Sequence, residues 1–74
     1  MTLADAEIGK LLEVVSITDS QANLYALRFG LSQGAELTIA KRVAGGPVIV
    51  SRNHLEVAIG HQMALQIEVQ PVEP

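Results

Sequence analysis

The side chains that could bind a transition metal are two histidines and a scattered set of carboxylates. His54 and His61 offer imidazole nitrogens, and Asp5, Asp19 and the glutamates offer oxygens. Metal sites that sequence can identify have a regular ligand spacing, such as i, i+4 on a helix or a C-x-x-C pair. No pair here has that spacing. We therefore interpret His54 as a turn residue and His61 as a surface residue, with a shared Fe(II) or Zn(II) site as the alternative.

Nucleophilic catalysis has no recognisable arrangement in this chain. There is no cysteine, and the serines at positions 16, 20, 32 and 51 have no His and Asp in a recognisable order around them. The stretch AGGP at 44–47 could cradle a phosphate, but Pro47 has no N–H to donate and no helix begins there. We predict that Gly46 and Pro47 belong to a hairpin turn and that the protein is not an enzyme.

Basic residues are few, and three of them occur where strands are predicted. Lys41, Arg42 and Arg52 would form a small patch if their strands were adjacent, suited to an acidic partner or to lipid headgroups; a solvated face is the alternative. The chain as a whole has a net charge of −3. Nucleic-acid binding normally needs a basic surface that neutralises phosphates. We therefore predict no nucleic-acid partner.

The 74 residues are enough for one domain, which we place at 1–74. Hydrophobic residues make up 49% of the chain, yet Tyr25 and Phe29 are its only aromatics, so the core must be aliphatic. A core of this size barely offsets the conformational entropy of the chain, which favours a partner or an exposed apolar face. The absence of cysteine is compatible with the cytoplasm. No signal peptide and no membrane-spanning apolar run are expected.

The first half of the chain predicts a strand followed by a helix. LLEVVSI at 11–17 is rich in β-branched residues, and we expect Leu11, Val15 and Ile17 on its inward face. Asp19 or Ser20 is the predicted N-cap of the helix. The inward face of that helix is defined by apolar residues at i, i+3, i+4 and i+7. These are Ala22, Tyr25, Ala26 and Phe29.

Gly30 and Gly34 follow this helix in the stretch FGLSQG. A helix commonly ends at a left-handed residue, and only glycine adopts that conformation without steric cost. We predict that Gly30 ends the helix, that Leu31 packs back on its last turn, and that Gly34 has a positive φ in the turn before the next strand.

The second half of the chain predicts four more strands, at 35–43, 47–52, 55–59 and 65–69. In the first of these, Leu37, Ile39 and Val43 are expected to face inward, with Lys41 as a misfit on the same face. A turn at 53–54 and a single helical turn at 60–64 separate the later strands, and 70–74 is predicted to be a frayed tail. Five short strands favour a small mainly β barrel, closed or nearly closed, with the helix covering one end.

Several of these stretches together resemble the FeoA family. The most specific is RFGLSQGAELTIAKR at 28–42, where Phe29, Gly30, Leu31 and Gly34 match a leucine-glycine-leucine pattern with a further glycine ahead of a strand. The others are GGPVIV at 45–50, LEVAIG at 55–60 and MALQIEV at 63–69. The resemblance covers residues 3–69 and implies a five-stranded SH3-like β-barrel with one α-helix between the first two strands.

The resemblance also implies a function. FeoA proteins accompany the FeoB ferrous iron transporter in the cytoplasm, where they are thought to bind and modulate its GTP-hydrolysing part, and the domain family is described as binding transition metals such as Fe(II). No metal ligands can be carried over. The family often has an Arg-Leu pair where this chain has Tyr25 and Ala26, and Leu-Arg where it has Ile59 and Gly60.

We expect an accessory protein whose contact surface lies at the end of the helix. Leu24 and Leu27 lie on a different side of the helix from Ala22 and Phe29, which suggests an exposed apolar patch; the alternative is that the barrel buries both sides. The full set of expected contact residues is Leu24, Leu27, Arg28, Leu31, Lys41 and Arg42. Two other functions stay open: a regulatory domain that belongs with an iron-dependent repressor, and a transition-metal carrier.

Overall fold

The computed structural model describes residues 1–72 of the 74-residue chain. Five strands and two helices follow one another along the chain. They are β1 (Leu11–Ile17), α1 (Ser20–Arg28), β2 (Glu36–Arg42), β3 (Val48–Arg52), β4 (Leu55–Ile59), α2 (His61–Ala64) and β5 (Ile67–Pro71). This matches the expected mainly β architecture with one longer helix after the first strand. No helix within residues 1–72 has the length and hydropathy of a membrane span.

The five strands form one antiparallel sheet in the order β4-β3-β2-β1-β5. The prediction was a barrel, closed or nearly closed, and the sheet is not closed, because β4 and β5 are its two ends and the described residues do not join them. The outer edge of β5 is occupied by the start of the chain instead. Leu3 N–H donates to the Ile67 carbonyl and Val69 N–H donates to the Met1 carbonyl, both at 2.8 Å. β5 therefore has no free edge to offer to β4.

The inward face of β1 differs from the prediction. Leu12 and Val14 are buried, whereas Leu11 is exposed and Val15 is half-buried. LLEVVSI has apolar residues at both odd and even positions, so alternation alone could not show which face of the strand is buried. Burying Leu12 and Val14 leaves Glu13 on the opposite face. A β-bulge between Val14 and Ser16 then returns Ile17 to the core side.

A second bulge explains the misfit of Lys41 in β2. Ile39 pairs with Val50 but Lys41 pairs with Ile49, so Ala40 is the extra residue. Because a bulge reverses the alternation, Lys41 turns outward and Val43 follows it, 51% exposed rather than inward as predicted. Leu37 and Ile39, which precede the bulge, are buried as expected.

The C-terminal strand begins and ends two residues later than predicted. Leu65 caps α2 and is exposed, while Ile67 and Val69 face the core. Gln70 and Pro71, predicted to fray, belong to β5. Residues 73 and 74 of the predicted tail lie outside the described residues.

The core is aliphatic and includes the start of the chain, which the sequence did not indicate. Leu3 and Ala6 are fully buried beside side chains from all five strands. Every fully buried side chain within residues 1–72 is apolar. The large ones are Leu3, Leu12, Val14, Leu31, Leu37, Ile39, Val48, Val50, Ile59, Ile67 and Val69.

The turn between β3 and β4 has two residues, as the sequence predicts, and both have positive φ. Arg52 pairs with Leu55 across it, and Asn53 and His54 have φ of 50° and 66°. Positive φ at both central positions is the signature of a type I′ turn, in which glycine is preferred at the second position. His54 therefore adopts a left-handed conformation that is unfavourable for any residue with a Cβ.

Replacing His54 with glycine is expected to stabilise the protein by about 0.5–1 kcal/mol, because the unfavourable left-handed histidine is removed. Thermal unfolding would then shift upward by about 2–8 °C. His61→Gly is the matched control and should destabilise, since His61 begins α2 with helical geometry. A lower midpoint for His54→Gly would show that the histidine side chain makes a stabilising contact that outweighs its backbone cost.

Candidate functional site

The helix α1 is set by local signals at both of its ends. The Asp19 carboxylate accepts a hydrogen bond from Ala22 N–H at 3.0 Å, which satisfies one of the free donors of the first turn. At the other end, Gly30 N–H donates to the Leu27 carbonyl and Leu31 N–H donates to the Ala26 carbonyl. With Gly30 at φ 73°, this is a Schellman motif. Both ends of α1 are thus fixed, and so is the direction in which its side chains point.

Two opposite faces of α1 have different environments. Ala22 and Ala26 are buried against the core, and their small side chains let the helix lie close to the sheet. On the opposite face, Leu24 is 67% exposed and Leu27 is 56% exposed. Arg28 is exposed beside them. These three residues have the spacing i, i+3, i+4 and so form one continuous face, which we call the α1 surface.

The structure excludes Leu31 from this surface. Leu31 is 1% exposed and belongs to the core cluster, so it cannot contact a partner as the sequence analysis expected. The same Schellman motif explains the correction, because the left-handed Gly30 turns the chain back and directs Leu31 under the helix beside Ala26. Leu31 is thus a structural residue.

The two aromatic residues, Tyr25 and Phe29, contact each other at the C-terminal end of α1. The rings of Tyr25 and Phe29 are 4.7 Å apart between centroids and tilted by 46°. Tyr25 is half-buried against the core, as its helical position predicts, whereas Phe29 is 41% exposed. Phe29 therefore adds apolar area at the end of the helix, on the side where Tyr25 supports it.

The other two basic residues expected to contact a partner do not join the α1 surface. Arg42 is half-buried and its guanidinium donates to the Ala6 carbonyl, which ties β2 to the start of the chain. Lys41 is exposed on the opposite side of the strand. Its partner Ile49 lies three residues from Arg52, about 10 Å along β3. The predicted patch of Lys41, Arg42 and Arg52 is therefore not formed.

Arg52 instead reaches the end of α1, a placement that the sequence did not suggest. A Cβ at Gly30 would lie 3.0 Å from Nη1 of Arg52, so the guanidinium lies directly against the Gly30 backbone. This is the partially negative end of the helix, which favours a cation. No local pattern could have indicated the contact, because it depends on the β3–β4 hairpin folding against the helix terminus.

The surface formed by residues 1–72 also has depressions that could hold a small ligand. One is an open groove of about 470 Å³ beside the β3–β4 turn, lined among others by Glu36, Thr38, Arg52 and His54. Another, of about 280 Å³, lies between the start of α1 and α2 and is lined by Asp19 and glutamines. In neither depression do the lining residues form a hydrogen-bonded pair of a nucleophile and a general base.

The expected metal ligands are also placed. His54 lies in the β3–β4 turn and His61 begins α2, while Asp19 caps α1 and Asp5 accepts a hydrogen bond from the Thr2 hydroxyl at 3.2 Å. Within residues 1–72, no three His, Cys, Asp or Glu side chains come close enough to hold a metal ion together. The donor set of the described residues therefore does not fit a resident metal, and the α1 surface is the best-defined candidate site.

The comparisons with known proteins agree with this fold. The family model of the FeoA domain matches residues 1–71. The crystal structure of an iron uptake regulatory protein, FeoA, is similar with a TM-score of 0.86 and 26% identity, covering 97% of this chain and 96% of that one. The solution structure of the FeoA protein from Chlorobium tepidum is similar in fold with a TM-score of 0.86 and 24% identity, covering 99% and 71%.

A longer protein contains the same fold as one part. The crystal structure of ScaR with bound Zn²⁺ has a TM-score of 0.86 at 18% identity, and the match covers 97% of this chain but 37% of that one. This similarity is one of fold. Among curated protein sequences, none matches this chain.

Proposed function

The chain belongs to the FeoA domain family, and we propose on that basis that it is a non-enzymatic accessory protein of ferrous iron transport. It acts in the cytoplasm, where it binds and modulates the cytoplasmic, GTP-hydrolysing part of an FeoB-type Fe(II) transporter. Fe(II) is the cargo of that transporter in this proposal. The name of the similar iron uptake regulatory protein supports the same role.

The observation that carries the proposal is the α1 surface. Leu24 and Leu27 present apolar area to solvent one turn apart on the same face of a well-capped helix. Binding energy at protein interfaces is concentrated in a few such side chains that become fully desolvated. A helix with two exposed leucines one turn apart fits helix-to-helix docking, in which apolar residues at i and i+3 act as anchors.

The first experiment is affinity capture of the purified protein with detergent-solubilised membranes of its host, with the bound proteins identified by mass spectrometry. Recovery of a large iron transporter with a GTP-binding domain supports the proposal. The purified cytoplasmic part of that transporter then gives a dissociation constant. Recovery of a soluble DNA-binding protein alone would support the second candidate described below.

Replacing Leu24 with glutamate is expected to weaken binding to the transporter at least about tenfold, because a charge would then have to be buried in an apolar interface. Stability should change by no more than about 0.5 kcal/mol, since Leu24 is exposed. Val43→Glu is the matched control. It introduces the same charge at a similarly exposed apolar residue. Val43 follows the far end of β2, about 20 Å along the strand from the end that lies beside Arg52. Equal loss of binding in both variants would contradict a specific role for α1.

A second candidate is a regulatory domain that works with a metal-dependent repressor. The observation in its favour is that 97% of this chain matches 41% of a manganese-dependent transcriptional repressor, where the fold is one part of a longer chain. In that case the protein would co-purify with a DNA-binding protein from the soluble fraction, and Leu24→Glu would leave iron uptake unchanged.

A further inference from the structure

Charge is distributed unevenly between α1 and the remainder of the chain. The chain carries eight acidic and five basic residues, a net charge of −3. The helix SQANLYALR has no acidic residue, and its one charged residue is Arg28, in the last turn. The α1 surface is therefore a locally positive and apolar region on an acidic protein, which suggests that its partner is negatively charged.

Arg52 adds a second cation to this region through tertiary structure. Its guanidinium lies against Gly30, just beyond the helix end, where Gly30 N–H is bonded to the Leu27 carbonyl. Within residues 1–72 the ion pairs join Met1 to Glu68 and Lys10 to Glu7, so neither Arg28 nor Arg52 forms an ion pair with a carboxylate of that part of the chain. Two unpaired guanidiniums thus lie at one end of two exposed leucines.

We propose that the α1 surface together with Arg52 binds an acidic amphipathic helix of the partner protein. The inference rests on the proposed function and specifies the chemistry of the segment that α1 recognises. Leu24 and Leu27 pack against the apolar stripe of that helix, and carboxylates beside the stripe lie over Arg28 and Arg52. Arginine suits this role because its planar guanidinium binds carboxylates in a bidentate manner.

A helix fits the surface better than an extended segment. The exposed leucines are spaced at i, i+3 along a helix of nine residues, about 13 Å long, which matches two to three turns of a partner helix. A nucleic acid or an anionic membrane would instead be repelled by the net negative charge of the chain, and a nucleic acid would also gain little from the leucines.

The test measures binding of the purified cytoplasmic part of the transporter at about 50 mM and about 500 mM NaCl. Arg28→Glu and Arg52→Glu are each expected to raise the dissociation constant at least about tenfold at low salt, with the difference from wild type falling below about threefold at high salt. Lys41→Glu is the matched control. Lys41 is exposed, and its strand partner Ile49 lies about 10 Å from Arg52 along β3, so its reversal should change the constant by less than about twofold.

The outcomes separate this inference from the proposed function. If Leu24→Glu abolishes binding while both arginine reversals bind like wild type, the partner helix is not acidic and the proposed function stands. If Leu24→Glu also binds like wild type, the proposed function fails and the inference fails with it. If the wild-type protein binds anionic lipid vesicles and Arg28→Glu abolishes that binding, the partner of this surface is a membrane and not a protein helix.

Separate controls distinguish an effect of the arginine substitutions on folding from an effect on charge pairing. Arg28 is exposed, so Arg28→Glu tests the inference even if Arg52→Glu lowers the melting temperature. Reversing the charge of the contacted carboxylates in the transporter should restore the binding of Arg28→Glu to within about threefold of wild type. Absence of rescue at every acidic residue of the docked helix would overturn the proposed pairing.

Discussion

Replacing Leu31 with alanine is expected to lower the free energy of unfolding by about 3 kcal/mol, within the usual range of 2–5 kcal/mol for a buried leucine. The side chain is 1% exposed and packs under α1, where nothing else can fill the space that it would leave. A chain of 74 residues has a total stability of about 4–11 kcal/mol, so this one change removes a large part of it. Urea unfolding monitored by circular dichroism measures the loss.

Leu24→Ala is the matched control for this prediction. Leu24 is on the same helix-and-cap unit but faces solvent, so its truncation should change stability by no more than about 0.5 kcal/mol. The two leucines should then separate cleanly, with Leu31→Ala affecting folding and Leu24→Ala affecting partner binding. Equal midpoints for Leu31→Ala and the wild type would mean that Leu31 does not belong to the core.

Gly30→Val is expected to destabilise the protein by about 2–3 kcal/mol, which lowers the melting temperature by about 10 °C or more. Gly30 has φ 73°, a conformation that a β-branched residue adopts only with strain. A Cβ there would also come within 3.0 Å of the Arg52 guanidinium and force it away from the helix end. Backbone strain and the displaced arginine act in the same direction.

Two further substitutions show which of these causes dominates. Gly60→Ala should be nearly neutral, because Gly60 has φ −60° and a Cβ there meets no atom within 4 Å among the described residues. Gly30→Val combined with Arg52→Ala removes the clash but keeps the strained backbone, so it should still be destabilised. A Gly30→Val melting temperature equal to that of the wild type would contradict the helix end described above.

Local signals in the sequence were sufficient to predict the helix α1 and the number of strands. An Asp before the helix and a glycine after it act through hydrogen bonds that span at most five residues. The two-residue turn at 53–54 and the burial of Leu37 and Ile39 likewise follow from their immediate neighbours. The exposure of Leu24 and Leu27 was indicated by helical periodicity alone.

Tertiary structure decided the features that depend on residues far apart in the chain. Strand pairing decides which face of β1 is buried, and it produces the two bulges that redirect Ile17 and Lys41. Hydrophobic periodicity in the sequence does not reveal the register of that pairing. The start of the chain took the outer edge of β5, which left the sheet open instead of closed. The approach of Arg52 to Gly30 arose in the same way. Each of these is a long-range contact, and its free energy depends on packing in three dimensions rather than on neighbours in the sequence.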